Sequence, residues 1–561
     1  MRKPLRELLT LLLLLGAATL LAQGKKPAKY WVSFTDKKGT PYSVDRPSEF
    51  LSPRALERRF RYGIEVTEED LPVNPSYVRQ LTDSGARIHN TSKWLNAAAI
   101  LADSTTAYGL LKLDFVKQVR YVGPHIKHKI SLRKKKKKRD QWNDYNRIPN
   151  HYGFGELQVR MLAGDVLHAQ GHQGEHMLVA VMDGGFTNVD IMPFFDSLRQ
   201  ENRLAAGRDF VGVDNHVWES SSHGSHVLSV MGANLPGLLV GTAPEASYVC
   251  IKTEDTGGEY LIEECNWVAG AEYADSIGAD VVNSSLGYTT FNDKRMNYVF
   301  EDLTGKKGIA SRAADIAFTK GMIMVNSAGN SGRGPWKYVG VPADAENVFS
   351  VGATDFSGKR ASFSSFGPSA DGRIKPDVAT VGQAITVGSI YSYEVQLSNG
   401  TSFSAPMMAG MVTSLWGAFP EKTNREILDA IRKSASQADA PDEELGYGIP
   451  DFFKAYLYLQ TGKREGPTVR TERVQLYPVF KRGKKRLYCY SDSDIPFHYS
   501  ISDLAGKVVR EQKIQGGERS IAESELGELA PGLYILQVFD GEQTVRQLLK
   551  VPESKEVAIW P

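Results

Sequence analysis

Two short apolar runs constrain the fold of this chain more than any other feature. Residues 178–182 form one run, which ends in Asp183-Gly-Gly, and residues 322–325 form the other, which leads into a glycine-rich turn containing Asn330. Continuous apolar runs of this length are typical of strands that are buried on both faces of a parallel sheet. We therefore expect a parallel α/β domain that holds Asp183 and Asn330 at the carboxyl ends of strands, where open sheets bind ligands.

A third segment places a serine at the start of a helix. Ser402 lies in the run Asn-Gly-Thr-Ser-Phe-Ser-Ala-Pro, residues 399–406, and an apolar stretch follows over residues 407–416. The pattern predicts a helix with Pro406 in its first turn, where the missing N–H costs nothing. Gly400 allows a close backbone approach, and the N–H groups at the helix start would face negative charge forming beside Ser402.

A histidine is the fourth candidate for a functional role, beside Asp183, Asn330 and Ser402. His223 lies in Ser-His-Gly-Ser-His, residues 222–226, before the helix-like stretch 227–233. The order Asp183, His223, Asn330, Ser402, with these local motifs, resembles the subtilases, the subtilisin-like serine peptidases. Residues 281–287, Val-Val-Asn-Ser-Ser-Leu-Gly, add a match to the substrate-binding strand of that family, and the resemblance covers about residues 150–460.

The resemblance implies a role for each residue. His223 would take the proton of the Ser402 hydroxyl and pass it to the leaving amine, while Asp183 holds the imidazole in the productive tautomer. The side-chain amide of Asn330 and the backbone N–H of Ser402 would hold the oxyanion. His226 is the alternative to His223, although the first histidine of this motif catalyses in the family. A degenerate site, retained only for folding, is the alternative for the whole set.

The motifs depart from the family pattern at several positions. Gly184 stands where many subtilases carry Ser or Thr, so a hydroxyl bond to Asp183 is not expected. Ser225 replaces the usual Thr, and Phe403-Ser404 replaces a more common Met-Ala. None of these changes removes a reacting group.

Two segments are candidates for substrate binding. Ser285, Leu286 and Gly287 would pair with an extended peptide as an added strand. Ser327, Ala328 and Gly329 would form a second wall of the first pocket. Both walls consist mainly of small residues, which favours an apolar or broad side-chain preference.

Other features limit the metal and redox chemistry of the chain. His168, His172 and His176 have helix-like spacing, but Gly171 and Gly174 interrupt any helix and disfavour a metal site. The peptidase chemistry requires no cofactor, and the resemblance allows structural calcium without placing it. The cysteines Cys250, Cys265 and Cys489 can form at most one disulfide, and we expect buried thiols instead.

Composition and the N-terminus bear on localisation. The 561 residues correspond to about three to four domains by length. A net charge of +2 gives no indication of a nucleic-acid partner.

Residues 1–22 combine a basic head, an apolar run and small residues, as in a secretory signal peptide. No later run is long enough to span a bilayer, so we expect export as a chain without a transmembrane segment.

Residues 23–145 are expected to form a small α+β propeptide with a basic linker. Strand-like runs at residues 30–34 and 97–101 flank a helix-like stretch at 52–60. The position resembles that of subtilase propeptides, which implies a folding template and intramolecular inhibitor. Residues 133–139, Arg-Lys-Lys-Lys-Lys-Lys-Arg, allow two hypotheses: a solvated linker, or a trypsin-like processing site that releases the propeptide.

The predicted peptidase domain covers residues 146–462, with a linker over residues 461–467, and a C-terminal β-sandwich covers residues 470–555. A hairpin is predicted from residues 533–539 and 544–551 across an Asp-Gly turn. This part resembles the C-terminal sorting domains of the type IX secretion system, which implies a secretion-machinery partner. Tyr-Pro-Val-Phe at residues 477–480 and the tail 552–561 depart from that family, so an accessory β-domain is the alternative.

The sequence thus predicts a secreted serine endopeptidase that acts through an Asp-His-Ser triad and an acyl-enzyme on protein substrates. A catalytically silent surface protein that binds peptides or matrix is the second hypothesis. An esterase of the α/β-hydrolase fold is disfavoured, because Ser402 lacks the second glycine of Gly-x-Ser-x-Gly and the order of residues is wrong for that fold.

Overall fold

The computed structural model describes residues 26–126, 150–212, 215–462, 469–470, 474–481, 484–491, 496–514, 522–525 and 529–551. The predicted signal peptide and the basic run 133–139 lie outside these ranges, as does most of the linker predicted at residues 461–467.

The N-terminal unit is an antiparallel sheet with three helices. Its strands are β1 (Ala28–Phe34), β2 (Arg87–Ser92), β3 (Ala97–Ala102) and β4 (Val116–Pro124), in the order β2-β3-β1-β4. Its helices are α1 (Pro53–Tyr62), α2 (Pro75–Asp83) and α3 (Ser104–Gly109). Ser52 caps α1 by accepting a hydrogen bond from the Ala55 N–H. The two strands and the helix expected from the sequence are confirmed.

A seven-stranded parallel sheet forms the centre of the molecule. In chain order the strands of this region are β5 (Leu178–Asp183), β6 (Leu204–Asp209), β7 (Asn234–Leu235), β8 (Leu239–Val240), β9 (Ser247–Lys252), β10 (Val281–Ser284), β11 (Ile323–Ser327), β12 (Phe349–Thr354), β13 (Val378–Val381), β14 (Ile385–Gly388) and β15 (Val395–Ser398). The central sheet has the order β13-β12-β11-β10-β5-β9-β6, whereas β7–β8 and β14–β15 are separate antiparallel pairs.

Helices cover both faces of this sheet. They are α4 (Glu156–Arg160), α5 (Gly164–Ala169), α6 (Asp196–Gln200), α7 (His223–Gly232), α8 (Ile262–Ile277), α9 (Ile309–Thr319), α10 (Thr401–Ala418), α11 (Asn424–Ser434) and α12 (Phe452–Thr461). Short 3-10 turns occur at Pro47–Glu49, Glu68–Asp70, Leu110–Lys112, Pro193–Phe195, Lys294–Met296 and Phe300–Asp302. In the described part of the chain, no helix has the length and apolarity to cross a membrane.

The alternation of side chains along β5 shows why two helical layers are needed. Val179 and Val181 pack in the core shared with α7 and α10, whereas Ala180 and Met182 pack in the core shared with α8 and α9. Successive residues of a strand point to opposite faces, so an apolar run without interruption requires cover on both sides. The expected fold, a parallel sheet with helices on both faces, is confirmed.

One detail of the expected helix at the serine motif is wrong. The helix α10 begins at Thr401, so Pro406 lies in its second turn and not in its first. Gly400, with a φ of 148°, precedes the helix and lets the chain enter it earlier than the apolar pattern indicated. The missing N–H of Pro406 therefore falls where a helical donor is normally needed.

The C-terminal region consists of two four-stranded sheets. Their strands are β16 (Val469–Arg470), β17 (Val474–Lys481), β18 (Lys484–Ser491), β19 (Phe497–Asp503), β20 (Val508–Ile514), β21 (Ala522–Glu525), β22 (Gly532–Phe539) and β23 (Thr544–Val551). The orders are β16-β17-β18-β21 and β20-β19-β22-β23. Leu476 and Leu487 of one sheet share a core with Tyr499 and Val538 of the other, which confirms the β-sandwich and the β22–β23 hairpin.

Candidate active site

Four elements carry the predicted catalytic residues. Asp183 is the last residue of β5, His223 is the first residue of α7, and Ser402 is the second residue of α10. Asn330 follows the end of β11 by three residues. Because β5 and β11 flank β10 in a parallel sheet, their carboxyl ends open on the same edge.

Asp183 and His223 are directly bonded. The Nδ1 atom of His223 lies 2.8 Å from the Oδ2 atom of Asp183, whose side chain is 2% exposed. The negative charge of Asp183 raises the pKa of His223, and this effect outweighs the opposing effect of burial. With Nδ1–H directed at the carboxylate, Nε2 is the ring nitrogen left for proton transfer.

The residue that follows Ser402 packs near this pair. The ring of His223 is 5.8 Å from the ring of Phe403, the residue that follows Ser402. Among the hydrogen bonds of the described residues, none joins Ser402 to His223. The Ser402 hydroxyl instead donates to the carbonyl of Ser285 at 3.4 Å, which is a long contact. Catalytic hydrogen bonds are often long in unliganded enzymes and tighten when the substrate binds.

Asn330 presents its amide to solvent. The Oδ1 atom of Asn330 accepts from the Thr401 N–H at 2.9 Å and from the Thr401 hydroxyl at 3.1 Å. These bonds orient the side chain and leave its NH2 group available on an exposed residue. A Cβ at Gly400 would lie 3.7 Å from both polar atoms of this amide, which is an ordinary contact distance, so the φ of 148° is what favours glycine here.

His226 has different surroundings. Its Nε2 atom lies 3.3 Å from the Nε2 atom of Gln396. Burial, followed by the charge of His223, lowers the pKa of His226. Among the described hydrogen bonds, His223 is the histidine that contacts Asp183.

The departures from the family motifs are accommodated locally. The backbone N–H of Gly184 donates to Oδ1 of Asp183 at 2.7 Å, so this carboxylate oxygen has a donor without a side-chain hydroxyl. The hydroxyl of Ser225 donates to the carbonyl of Thr187 at 2.8 Å.

The two predicted substrate walls lie side by side. The strands β10 and β11 pair in parallel with Ser284 opposite Asn326, so residues 285–287 and 327–329 follow these positions side by side at the carboxyl ends of the two strands. The side-chain amide of Asn326 donates to the carbonyl of Leu286 at 2.9 Å and ties the walls to each other. Gly287 is exposed, Leu286 and Gly329 are half-buried, and Ser285, Ser327 and Ala328 are buried.

The histidines at helix-like spacing have structural surroundings. The Nδ1 atom of His168 lies 3.0 Å from the Tyr152 hydroxyl, and its Nε2 atom lies 3.0 Å from the Thr242 carbonyl. Burial lowers the pKa of His168 to about 4. Both ring nitrogens of His168 are thus engaged by protein groups.

A carboxylate cluster near the site was missed from the sequence. Oxygens of Glu254, Glu259 and Glu263 lie within 4.8 Å of one another. Burial raises the pKa of Glu254 to about 8 and that of Glu259 to about 7. Glu254 accepts from the Tyr288 hydroxyl, and Glu263 accepts from the N–H groups of Asp255 and Tyr260. A cation would compete with these hydrogen bonds.

The signal for this cluster in the sequence is weak. Glu259 and Glu263 are four residues apart, which places them together near the start of α8. Glu254 belongs to the preceding loop and joins them only through the fold. No calcium motif links the three positions.

Two cysteines agree with the expectation of thiols. Cys250 and Cys265 are free and buried, and burial raises the pKa of both. The side chain of Cys489 lies outside what the structure describes.

The N-terminal unit is joined to the central domain by buried charges. The carboxylate of Asp275, on α8, lies 2.6 Å from Arg58, 3.0 Å from Arg59 and 2.8 Å from Lys93. The neighbouring carboxylate of Glu272 accepts from the N–H groups of Lys93 and Trp94 at 2.7 and 3.0 Å. Trp31 and Trp94 also pack in the core shared with α8 and α9.

The end of this unit contacts the loop that precedes α8. A Cβ at Gly258 would be 3.6 Å from the Cδ1 atom of Ile126, the last residue described before position 150. A Cβ at Gly123 would likewise be 3.0 Å from the Cβ of Tyr260. The loop that carries Glu259 therefore contacts the terminal segment of the N-terminal unit.

Comparison with protein families identifies the central domain. The profile of the subtilase family matches residues 174–448, a range that contains Asp183, His223, Asn330 and Ser402. The central domain is a subtilase domain. The Peptidase S8 propeptide domain of Bacteroidota matches residues 29–141, and the secretion system C-terminal sorting domain matches residues 484–551.

Two bacterial subtilisins are similar to this chain over most of their own length. Subtilisin NAT of Bacillus subtilis subsp. natto is 28% identical over 361 residues, which span 64% of this subtilase and 80% of the relative. The subtilisin of Bacillus pumilus is 29% identical over 290 residues, which span 51% and 91%. The solved structure of MycP1 from Mycobacterium smegmatis aligns with 56% of this subtilase and 89% of its own chain, at 19% identity and a TM-score of 0.43.

These findings establish the class of the protein. This subtilase is a secreted serine endopeptidase that carries a family propeptide, and its sorting domain indicates export through type IX secretion. The peptidase assignment disfavours both the silent surface protein and the α/β-hydrolase esterase. The boundaries of the four predicted regions remain predictions.

Proposed function

We propose that Asp183, His223 and Ser402 are the catalytic triad of this subtilase, with Asn330 as the side-chain donor to the oxyanion. The 2.8 Å contact between His223 and Asp183 is the observation that carries the proposal. It directs Nδ1–H to a buried carboxylate and leaves Nε2 for proton transfer with Ser402. The raised pKa of His223 suits a base that becomes an imidazolium during the reaction.

The reaction begins when the Ser402 hydroxyl leaves the Ser285 carbonyl and turns toward His223. Nε2 takes the hydroxyl proton while Oγ attacks the carbonyl carbon of the scissile bond. The imidazolium then gives that proton to the leaving amine, and an ester forms on Ser402. A water molecule, deprotonated by His223, hydrolyses the ester and releases the second product.

The oxyanion of each tetrahedral intermediate would accept two hydrogen bonds. One comes from the Asn330 amide, whose orientation is fixed through Thr401. The other comes from the backbone N–H of Ser402, at the start of α10. Donors held in place before the reaction stabilise developing charge without reorganisation.

Peptide substrates would bind as an added strand along residues 285–287, with residues 327–329 forming the second wall. The exposure of Gly287 and the bond between Asn326 and Leu286 support an open edge held at fixed width. Main-chain hydrogen bonds would supply affinity, and the small residues favour an apolar or broad preference. Cleavage of a peptide library by the activated enzyme measures that preference directly.

The N-terminal unit would act as an intramolecular inhibitor. Its buried charge contacts with Asp275 and Glu272 fix it on α8, and its last described residue, Ile126, lies against Gly258. The chain that continues from Ile126 would occupy the substrate walls and exclude substrates until it is removed. N-terminal sequencing of the mature enzyme locates the cut, and a start before Lys134 would contradict processing in the basic run.

The acyl transfer uses protein groups only, and no residue is assigned to calcium. Comparison of the activated wild type with Ser402→Ala tests the proposal. The wild type should hydrolyse casein, whereas Ser402→Ala should express, fold and leave casein intact. Equal hydrolysis by both proteins would contradict the assignment of the nucleophile.

A further inference from the structure

The nucleophile-bearing helix has a defect at a defined position. In an α-helix the N–H of each residue bonds to the carbonyl four residues earlier. Pro406, in the second turn of α10, is the residue that would serve the carbonyl of Ser402. Proline has no N–H, and its ring crowds that carbonyl. The carbonyl of Ser402 therefore lacks its helical donor.

A side chain from the neighbouring strand segment supplies the missing donor. The hydroxyl of Ser285 donates to the carbonyl oxygen of Ser402 at 2.9 Å. Ser285 is 6% exposed and Ser402 is 9% exposed, so water is a poor substitute at this position. A buried carbonyl without a donor is costly, which gives this single hydroxyl a large effect.

The direction of the Ser285 hydroxyl is set by a second contact. The amide nitrogen of Asn283, a fully buried residue of β10, donates to Oγ of Ser285 at 3.2 Å. A hydroxyl has one hydrogen to donate. Since Asn283 occupies an acceptor position of Oγ, the hydrogen of Ser285 is left for the carbonyl of Ser402.

We infer that Ser285 is a positioning residue for the nucleophile, and that its hydroxyl replaces the N–H that Pro406 lacks. The inference rests on the proposed role of Ser402. The bond fixes the peptide group that contains the Ser402 carbonyl. The Cα of Ser402 joins this group to the nucleophilic Oγ and to the backbone N–H that would bind the oxyanion. This role of the side chain is separate from the role of the Ser285 backbone in the substrate wall.

A double-mutant cycle tests the inference in the activated enzyme. Ser285→Ala should lower kcat by about ten-fold and change KM by less than about two-fold, since one buried hydrogen bond is lost and the backbone remains. In the background of Pro406→Ala, residue 406 regains an N–H for the Ser402 carbonyl. There, Ser285→Ala should cost about two-fold or less. The same loss of kcat in both backgrounds would overturn the inference.

Two further variants separate positioning from packing. Ser285→Thr keeps a hydroxyl and should recover most of the kcat lost in Ser285→Ala, which also decides the matter if Pro406→Ala does not fold. Ser414→Ala is the matched control, because it removes a buried hydroxyl bond from α10 to the carbonyl of Thr242, away from Ser402. A loss of kcat in Ser414→Ala equal to that in Ser285→Ala would contradict a specific effect.

The failure of this inference can be distinguished from the failure of the proposed function. A fluorophosphonate that labels the wild type at Ser402 upholds the nucleophile whatever the cycle shows. If the label reacts but the cycle is additive, only the role of Ser285 is wrong. If the wild type is not labelled, both proposals are wrong.

Discussion

The guanidinium of Arg58 in the propeptide lies 2.6 Å from the carboxylate of Asp275 in the peptidase domain, and both side chains are at most 2% exposed. Burial acts to raise the pKa of Asp275, but the charges of Lys93, Arg59 and Arg58 outweigh it and hold the pKa well below its usual range. Asp275 thus joins the peptidase domain to three cations of the propeptide, beside the hydrogen bonds of Glu272 and the packing of Trp31 and Trp94.

Loss of that carboxylate should weaken the attachment. In a full-length Ser402→Ala chain, which lacks the proposed nucleophile, Asp275→Asn leaves Arg58, Arg59 and Lys93 buried without full compensation. We expect the free energy of unfolding, measured in urea, to fall by about 3–5 kcal/mol. The matched control is Asp293→Asn, which removes a half-buried carboxylate that pairs with the exposed Arg295, and it should leave the free energy of unfolding close to that of the parent. Equal effects of the two substitutions would contradict this account.

Glu272 should make the stability of the same full-length chain depend on pH near neutrality. Burial raises the pKa of Glu272 to about 7, although Lys93 and the donors from Ser92, Lys93 and Trp94 act to lower it. An acid with a raised pKa contributes stability below its unfolded-state value of about 4.3, and that contribution is lost as the pH rises through about 7. In Glu272→Gln, the urea concentration at the midpoint of unfolding should therefore change less between about pH 5 and pH 8 than it does in the parent. An unchanged slope would argue against burial of this group.

The pH dependence of nucleophile reactivity should report on His223. His223 must be neutral to act as the base. Because the charge of Asp183 raises the pKa of His223, the rate of reaction at Ser402 should fall with decreasing pH at a pH above the ordinary pKa of histidine. In Asp183→Asn the raising charge is lost and the acid limb should move to lower pH. The kcat should also fall by about 10⁴-fold because the tautomer is wrong. The rate of fluorophosphonate inactivation measures the shift, and an acid limb at the same pH in both enzymes would contradict it.

Asn330 should act on the transition state. Asn330→Ala removes the amide donor, and we expect kcat to fall by about 10²–10³-fold with little change in KM. Asn330→Asp keeps the shape of the side chain without its NH2 group and serves as the control. A large recovery of kcat in Asn330→Asp would show that shape, and not the donor, matters at this position.

Much of the fold was predictable because the patterns are local. The apolar run before Asp183 indicated a buried parallel strand, and the alternation of Val179 and Ala180 between two cores explains why the run has no polar face. The identities of the candidate site residues were predictable because each residue stands in a short motif. The contacts between Ser402 and its neighbours could not be predicted, because they depend on where α10 begins.

The remaining features arise from residues that are distant in sequence. Pro406 was expected in a first turn because apolar periodicity does not mark a helix start at Gly400 and Thr401. The ion cluster of Arg58 and Asp275 joins positions 217 residues apart, and no periodicity encodes such a partner. The carboxylates of Glu254 and Glu263 meet only when the loop before α8 folds back on the helix.

Mapping the adduct of a fluorophosphonate on the activated wild-type enzyme tests the central claim most directly. We predict a single modified residue, Ser402, in the tryptic digest, with labelling abolished by heat denaturation before the reagent is added. Modification of any other serine at a comparable rate, or an unmodified Ser402 in enzyme that still hydrolyses casein, would contradict the account.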